Sequence, residues 1–193
     1  MAEAVTAQRR PDHLIWLDLE MTGLEPKTCT ILEIATIVTD AQLRVLEEGP
    51  NLAIHHPPRV LNAMELWSRK QHAASGLTER CRASRVSMAA AEAQTLRWLK
   101  RWTLPRTSPL CGNSIGHDRR FLVKYMPALH AWCHYRSVDV STIKELARRW
   151  YPSGWELPPK ATQHLALEDI RASIAELQHY RQRLFVAPAD HPS

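Results

Sequence analysis

Apolar runs in the first third of the chain predict three β-strands. Residues 14–20 are apolar except for two acids, and residues 31–39 are β-branched and apolar enough to form a central strand. A turn then leads to a third strand at 43–46, which we expect to break at a Gly-Pro pair and to resume at 52–55. These runs predict a three-stranded antiparallel meander.

Helical spacing dominates the second half of the chain. Apolar residues recur every three or four positions in four segments, and short strand patterns at 108–113 and 134–140 separate them. The first helix has Ser87 as its predicted N-cap, the third begins with a capping box formed by Thr142 and Glu145, and Trp150 extends the apolar stripe of that third helix. This order predicts an α/β architecture, in which helices pack on a mixed sheet.

The first strand carries two acids near its end. Side chains alternate along a strand, so Asp18 and Glu20 share a face, with their α-carbons roughly 6 to 7 Å apart. Two carboxylates this close on an apolar strand repel each other unless one is protonated or a cation lies between them. The alternative is that both acids lie where the strand runs out into solvent.

Composition narrows the possible classes of protein. A chain of 193 residues with 45% hydrophobic content fits one domain, which we expect at 13–185 between flexible ends at 1–12 and 186–193. No run is long enough to span a membrane, and no signal peptide is evident. The four cysteines show no paired spacing, which favours reduced thiols in a cytoplasmic protein. The net charge of +5 favours a polyanionic partner, with nucleic acid the leading candidate.

Two more acids and a histidine complete a candidate constellation. Asp118 falls in the same helical stripe as apolar core residues and so needs a partner, but it could equally be the N-cap or first-turn residue of that helix. Asp169 follows His164 by five residues near the start of the last helix. Oxygen ligands suit Mg²⁺ or Mn²⁺, and phosphodiester hydrolysis uses two such ions. A histidine could take the proton from the attacking water.

Several sequence blocks closely resemble one known family. They are DLEMTGL at 18–24, CGNSIGHDRRF at 111–121, HYR at 134–136, DVST at 139–142 with KELARRW at 144–150, and His164-x4-Asp169-Ile170-Arg171. Together these blocks resemble the oligoribonuclease family of DEDDh exonucleases, which has a ribonuclease-H-like fold. The resemblance implies a homodimeric 3′→5′ exoribonuclease that converts very short RNAs, especially dinucleotides, to mononucleotides.

The resemblance also implies roles for the acids and the histidine. Asp18, Glu20 and Asp169 would hold one divalent cation, and Asp18 would bridge to a second. Asp118 would serve that second site, partly through water, and His164 would be the general base.

Substrate contacts are implied in the same way. Leu24 would wedge between the two bases, and Trp67 would stack near the 3′ base, although the pattern around Trp67 alone favours a core residue. The 5′-phosphate would be capped by Ser114 and Ser141, together with Tyr135 and Arg136 from across the dimer. Such a cap favours short substrates, because a longer chain has nowhere to continue.

One departure from the family and two rival functions stay open. His117 stands where we expect glutamine, and it adds a second titrating group near the site. A general single-strand or proofreading DNA exonuclease would share the acids and the histidine, but would degrade long strands at least as well as dinucleotides. A non-catalytic binder of short RNA would show no metal-dependent turnover.

Overall fold

Five strands form one mixed sheet in the computed structural model, which describes residues 9–153 and 165–185. The strands are β1 (Leu14–Met21), β2 (Ile31–Thr39), β3 (Val45–Ala53), β4 (Leu110–Gly112) and β5 (Ser137–Asp139). Their order across the sheet is β3-β2-β1-β4-β5. β1, β2 and β3 pair antiparallel, whereas β4 and β5 run parallel to β1. The predicted meander and mixed sheet are therefore confirmed.

Helices cover both faces of this sheet. They are α1 (Pro58–Asn62), α2 (Leu66–Ala74), α3 (Leu77–Ala83), α4 (Met88–Trp102), α5 (Gly116–Tyr125), α6 (Pro127–Trp132), α7 (Val140–Trp150) and α8 (Ala166–Leu184). The larger core joins one face to α4, α5 and α6, and a second core joins the other face to α7 and α8. Within 9–153 and 165–185, no helix combines the length and the apolar character needed to cross a membrane.

β1 divides its side chains between the two cores, as its alternating pattern predicts. Ile15, Leu17 and Leu19 lie in the core beneath α4 and α5. Trp16 lies in the core beneath α8, where its indole N–H donates a 3.0 Å hydrogen bond to Thr39 Oγ1. The acids of β1 share the parity of Trp16 and so belong to the α8 face.

The predicted break in the third strand is wrong, because β3 runs unbroken from Val45 to Ala53. Its register against β2 shifts at two places, which absorbs the irregular backbone around Gly49 and Pro50. β3 is an edge strand, so the missing N–H of Pro50 need not cost a ladder hydrogen bond.

Gly49→Ala should destabilise the protein by about 1 to 3 kcal/mol, because a Cβ there has no room. It would lie 2.6 Å from both Thr36 Oγ1 and Cζ3 of the Trp98 indole. Urea unfolding measures the loss. Gly116→Ala is the matched control, since nothing lies within 4 Å of its Cβ position. Equal midpoints for Gly49→Ala and the wild type would contradict this packing.

Two helix starts test the predicted caps. Ser87 caps α4 as predicted, because its hydroxyl accepts a 3.1 Å hydrogen bond from the Ala90 N–H. The predicted capping box of α7 is wrong: the helix begins at Val140, and Asp139 accepts from the Ser141 N–H at 3.0 Å. The helix begins as soon as β5 ends, two residues before the predicted cap. Trp150 does not join the buried stripe either, since it is 70% exposed.

Residues 57–85, where no clear pattern was found, contain the three short helices α1, α2 and α3. They bury a small separate cluster against β2, formed by Leu32, Leu61, Met64, Leu77 and Cys81. This cluster fixes the helices beside the end of the sheet where β1 finishes.

Candidate active site

Three of the predicted acids converge at that end of the sheet. Asp18 and Glu20 project from β1, and Asp169 comes from the first turn of α8. Each offers a carboxylate oxygen within 4.8 Å of the others, and no other group of three or more metal-ligand side chains occurs in the described part of the chain. Small residues allow this approach, since Ala166 and Ser173 of α8 are both buried.

Asp118 lies close to this cluster but is held separately. It occupies the first turn of α5 and is 5% exposed. Its Oδ1 accepts a 2.9 Å hydrogen bond from the backbone N–H of Leu19. Because β4 is the parallel neighbour of β1, the helix that follows β4 starts beside the end of β1. The partner that the sequence required for Asp118 is therefore a backbone amide of the strand that carries the first two acids.

Burial and mutual repulsion raise the pKa values of three of these acids, Asp18, Glu20 and Asp118. Burial, reinforced by the carboxylates of Asp118, Glu20 and Asp169, holds the pKa of Asp18 well above its usual range. Burial together with Asp169 and other acids raises the pKa of Glu20 to about 8. Burial raises the pKa of Asp118 to about 7, although the Leu19 amide opposes this shift. A cation among these carboxylates would relieve both the repulsion and the desolvation.

A second layer of charge behind Glu20 was not predicted. Glu33 is directly opposite Glu20 on β2, is fully buried, and forms an ion pair with Arg80 of α3. His72 of α2 donates from Nε2 to the Met21 carbonyl at 2.9 Å, and its Nδ1 lies 3.8 Å from Glu20 Oε2. The lone acid within an apolar strand was the available signal, whereas nothing local marked Arg80 or His72.

The donor set fits hard divalent cations. Carboxylate oxygens from Asp18, Glu20 and Asp169 are the ligands that Mg²⁺ and Mn²⁺ prefer. Arg80 forms its ion pair with Glu33 of β2, next to the cluster. His164, predicted as general base, lies outside the described residues.

Leu24 and Trp67 are both exposed, at 59% and 61%, on segments that are tied together. The Glu65 N–H, just before α2, donates to the Thr22 carbonyl at 3.0 Å. Gly23 lies against the Glu65 carboxyl group so closely that a Cβ would be 2.3 Å from it. The exposure of Trp67 excludes the core alternative.

Ser114 and Ser141 lie next to each other just beyond the carboxyl ends of β4 and β5. The Ser114 N–H donates to Asp139 Oδ1 at 2.9 Å and also approaches Ser141 Oγ at 3.0 Å. The two hydroxyl oxygens are 3.2 Å apart. Ser114 adopts a left-handed backbone conformation with φ 52°, which turns the chain from the strand into α5.

Tyr135 and Arg136 lie on the surface between α6 and β5. Tyr135 is 71% exposed, and the Arg136 guanidinium carbon lies 5.3 Å from its ring centre. Arg119 fixes this turn by donating to the backbone carbonyls of His134 and Arg136, at 3.0 and 3.1 Å. His117 is exposed in the first turn of α5, directly before Asp118.

Comparison with known proteins identifies the family. A family model described as Exonuclease matches residues 15–177. A protein of Pseudomonas paraeruginosa named oligoribonuclease is 58% identical over 173 residues, which cover 90% of this chain and 96% of the relative. The oligoribonuclease of Alkalilimnicola ehrlichii is 56% identical over 177 residues, covering 92% of each chain.

Solved structures agree on the fold. The zinc-bound complex of E. coli exonuclease I with single-stranded DNA superposes with a TM-score of 0.70 at 17% identity, covering 92% of this chain and 41% of the exonuclease. At that identity the likeness concerns the fold alone, and it agrees with the ribonuclease-H-like fold predicted from the sequence. The length and identity of the sequence matches go further, and the chain belongs to the oligoribonuclease family of exonucleases.

Proposed function

We propose that this member of the oligoribonuclease family is a metal-dependent 3′→5′ exoribonuclease that hydrolyses short RNAs, especially dinucleotides, to 5′-mononucleotides. The observation that carries the proposal is the convergence of Asp18, Glu20 and Asp169 at the end of the sheet, within 4.8 Å of one another. The match to the relative from Pseudomonas paraeruginosa covers 96% of that relative, so this chain spans nearly the whole length of a protein named for this activity.

Two divalent cations, Mg²⁺ or Mn²⁺, are the cofactors that this site would take. Asp18, Glu20 and Asp169 would hold one ion, Asp18 would also reach the second, and Asp118 would serve the second ion partly through water. When bound, the ions supply Lewis-acid stabilisation of the phosphoryl oxygens and lower the pKa of bound water. Asp118 is already oriented for this role by the Leu19 amide.

The remaining steps fall to other side chains. His164, assigned by the resemblance to the family, would accept the proton of the attacking water. Leu24 would separate the two bases, and Trp67 would stack on the 3′ base, which is a sequence-tolerant contact worth about 1 to 3 kcal/mol. The exposure of both side chains supports this assignment.

The 5′ end of the substrate would meet a polar cap. Ser114 and Ser141 would bind the 5′-phosphate, with Tyr135 and Arg136 from a second copy of the chain. A homodimer is supported by the exposure of Tyr135 and Arg136, which leaves both side chains accessible to a second copy. A cytoplasmic location is supported by the four cysteines, which are all buried and free.

The test is hydrolysis of 5′-phosphorylated RNAs from two to about ten nucleotides, with Mg²⁺ and then with a chelator. We expect metal-dependent turnover that is fastest for the dinucleotide, and light scattering of the same sample should give the mass of a dimer. Equal or faster turnover of long strands would overturn the length preference and indicate a general single-strand exonuclease. Binding without turnover would instead indicate a short-RNA binder.

A further inference from the structure

The side chain of Asn113 connects three parts of the site. Asn113 follows β4, and its Oδ1 accepts a 3.0 Å hydrogen bond from Ser141 Oγ at the start of α7. Its Nδ2 donates to Ser173 Oγ at 2.9 Å and to Glu176 Oε2 at 3.0 Å, both on α8. The Glu176 carboxylate can only accept a hydrogen bond, so the NH₂ group must face α8 and the oxygen must face Ser141.

This orientation decides which hydroxyl group can serve a ligand. Ser141 has one hydroxyl proton, which it donates to Asn113, and its oxygen accepts from the Ser114 N–H. In the 3.2 Å contact between the two hydroxyls, Ser114 must therefore be the donor. Ser114 is exposed, so its hydroxyl proton can turn from Ser141 to a phosphate oxygen, and Ser141 contributes to the phosphate site by holding the Ser114 N–H.

The same side chain leads to a metal-binding carboxylate. Ser173 is buried, accepts from Asn113, and donates to the backbone carbonyl of Asp169 at 2.9 Å. Glu176 is itself held by the Tyr180 hydroxyl at 2.6 Å and by Lys144 at 3.3 Å. A continuous series of hydrogen bonds thus joins the two serines to the turn of α8 that carries Asp169.

We propose that Asn113 is a positioning residue that sets the spacing between the 5′-phosphate site and the metal-binding acids, and thereby the substrate length. The inference rests on the proposed function, since it takes Ser114 and Ser141 as the phosphate site. A dinucleotide has one internal phosphate to be cleaved and one terminal phosphate to be bound. If the distance between the 5′-phosphate site and the metal-binding acids is fixed, a substrate binds best when both of its phosphates fit these two sites at once.

Asn113→Ala tests the inference through substrate discrimination. The quantities are kcat/KM for a 5′-phosphorylated dinucleotide, for the same dinucleotide with a 5′-hydroxyl, and for a 5′-phosphorylated tetranucleotide. Two ratios of kcat/KM follow: the 5′-phosphorylated dinucleotide over the 5′-hydroxyl dinucleotide, and the 5′-phosphorylated dinucleotide over the tetranucleotide. We expect both ratios to fall about tenfold in the variant, because KM for the 5′-phosphorylated dinucleotide rises. Turnover of the 5′-hydroxyl dinucleotide at saturation should stay within about twofold of the wild type, because the acids are untouched.

Two further variants sharpen the result. Ser173→Ala keeps the bond between Asn113 and Ser141 but removes the connection to Asp169, so it should weaken the preference for the dinucleotide over the tetranucleotide. Gln178→Leu is the matched control, because it removes a 2.9 Å hydrogen bond from the same helix to the Leu43 carbonyl, and it should leave both preferences unchanged.

The outcomes separate the two levels of proposal. A wild-type protein without preference for the 5′-phosphorylated dinucleotide would refute the proposed function, and the role of Asn113 with it. A wild type with that preference, retained in full by Asn113→Ala, would refute the positioning role alone. If Asn113→Ala does not fold by circular dichroism, a folded Ser173→Ala variant with unchanged length preference gives the same refutation.

Discussion

Asp18→Asn should lower metal-dependent hydrolysis of a 5′-phosphorylated dinucleotide by at least about 1,000-fold and yet raise the melting temperature of the metal-free protein. Activity falls because Asp18 lies at the centre of the acids and would contact both cations. Stability rises because the neutral amide removes a buried carboxylate whose pKa is held high by burial and by four neighbouring acids. Turnover with Mg²⁺ and thermal unfolding in chelator measure the two effects.

Asp12→Asn provides the control for this substitution. Asp12 is an exposed acid just before β1 that pairs with Arg10 on the surface, so neither activity nor the metal response should change. Full activity of Asp18→Asn would refute the metal assignment. If Asp18→Asn instead has a lower melting temperature than the wild type in chelator, Asp18 stabilises the metal-free fold rather than destabilising it.

The metal-free protein should lose stability as the pH rises from about 5.5 to 8. The carboxyl groups titrate near pH 4 in the unfolded chain, whereas the pKa is about 8 for Glu20 and about 7 for Asp118 in the folded protein. Between these values the folded state binds more protons than the unfolded state, so the free energy of unfolding falls with rising pH. Thermal unfolding in chelator should show a decrease of about 2 to 4 °C for each kcal/mol lost.

Added Mn²⁺ should reverse this trend, because it replaces the protons that leave the site. Its stabilising effect should be larger at pH 8 than at pH 5.5. Glu20→Gln, which removes one of the titrating groups, should flatten the pH dependence in chelator. A melting temperature that stays level or rises between pH 5.5 and 8 without metal would contradict mutual repulsion among the acids.

Local patterns in the sequence were sufficient to predict the parts of the site that lie on regular elements. The alternation along β1 placed Asp18 and Glu20 on one face, and helical spacing placed Asp118 on the buried face of α5. Ala166 and Ser173, three and four positions from Asp169, are small enough to let α8 approach the sheet, and both are buried. In each case the repeat of the element, about 2 residues for a strand and about 3.6 for a helix, sets the direction in which the side chain points.

Features that depend on distant pairing could not be predicted in this way. His72 and Arg80 come from short helices whose apolar residues are too few to show a period, and their partners on β1 and β2 are far away in sequence. The course of β3 through Gly49 and Pro50 depends on register shifts against β2, which local composition does not reveal. α7 begins directly after β5 with Asp139 as its N-cap, and not at the capping box predicted from Thr142 and Glu145.

The irregular edge of the sheet also limits how copies of the protein can associate. β3 exposes one edge to solvent, but its proline, its two register shifts and the acids Glu47 and Glu48 make that edge a poor template for another strand. At the opposite edge, β5 is only three residues long and offers few unpaired backbone groups. The proposed dimer should therefore form through side chains on helices and turns, and each copy should keep a sheet of its own rather than share a continuous one.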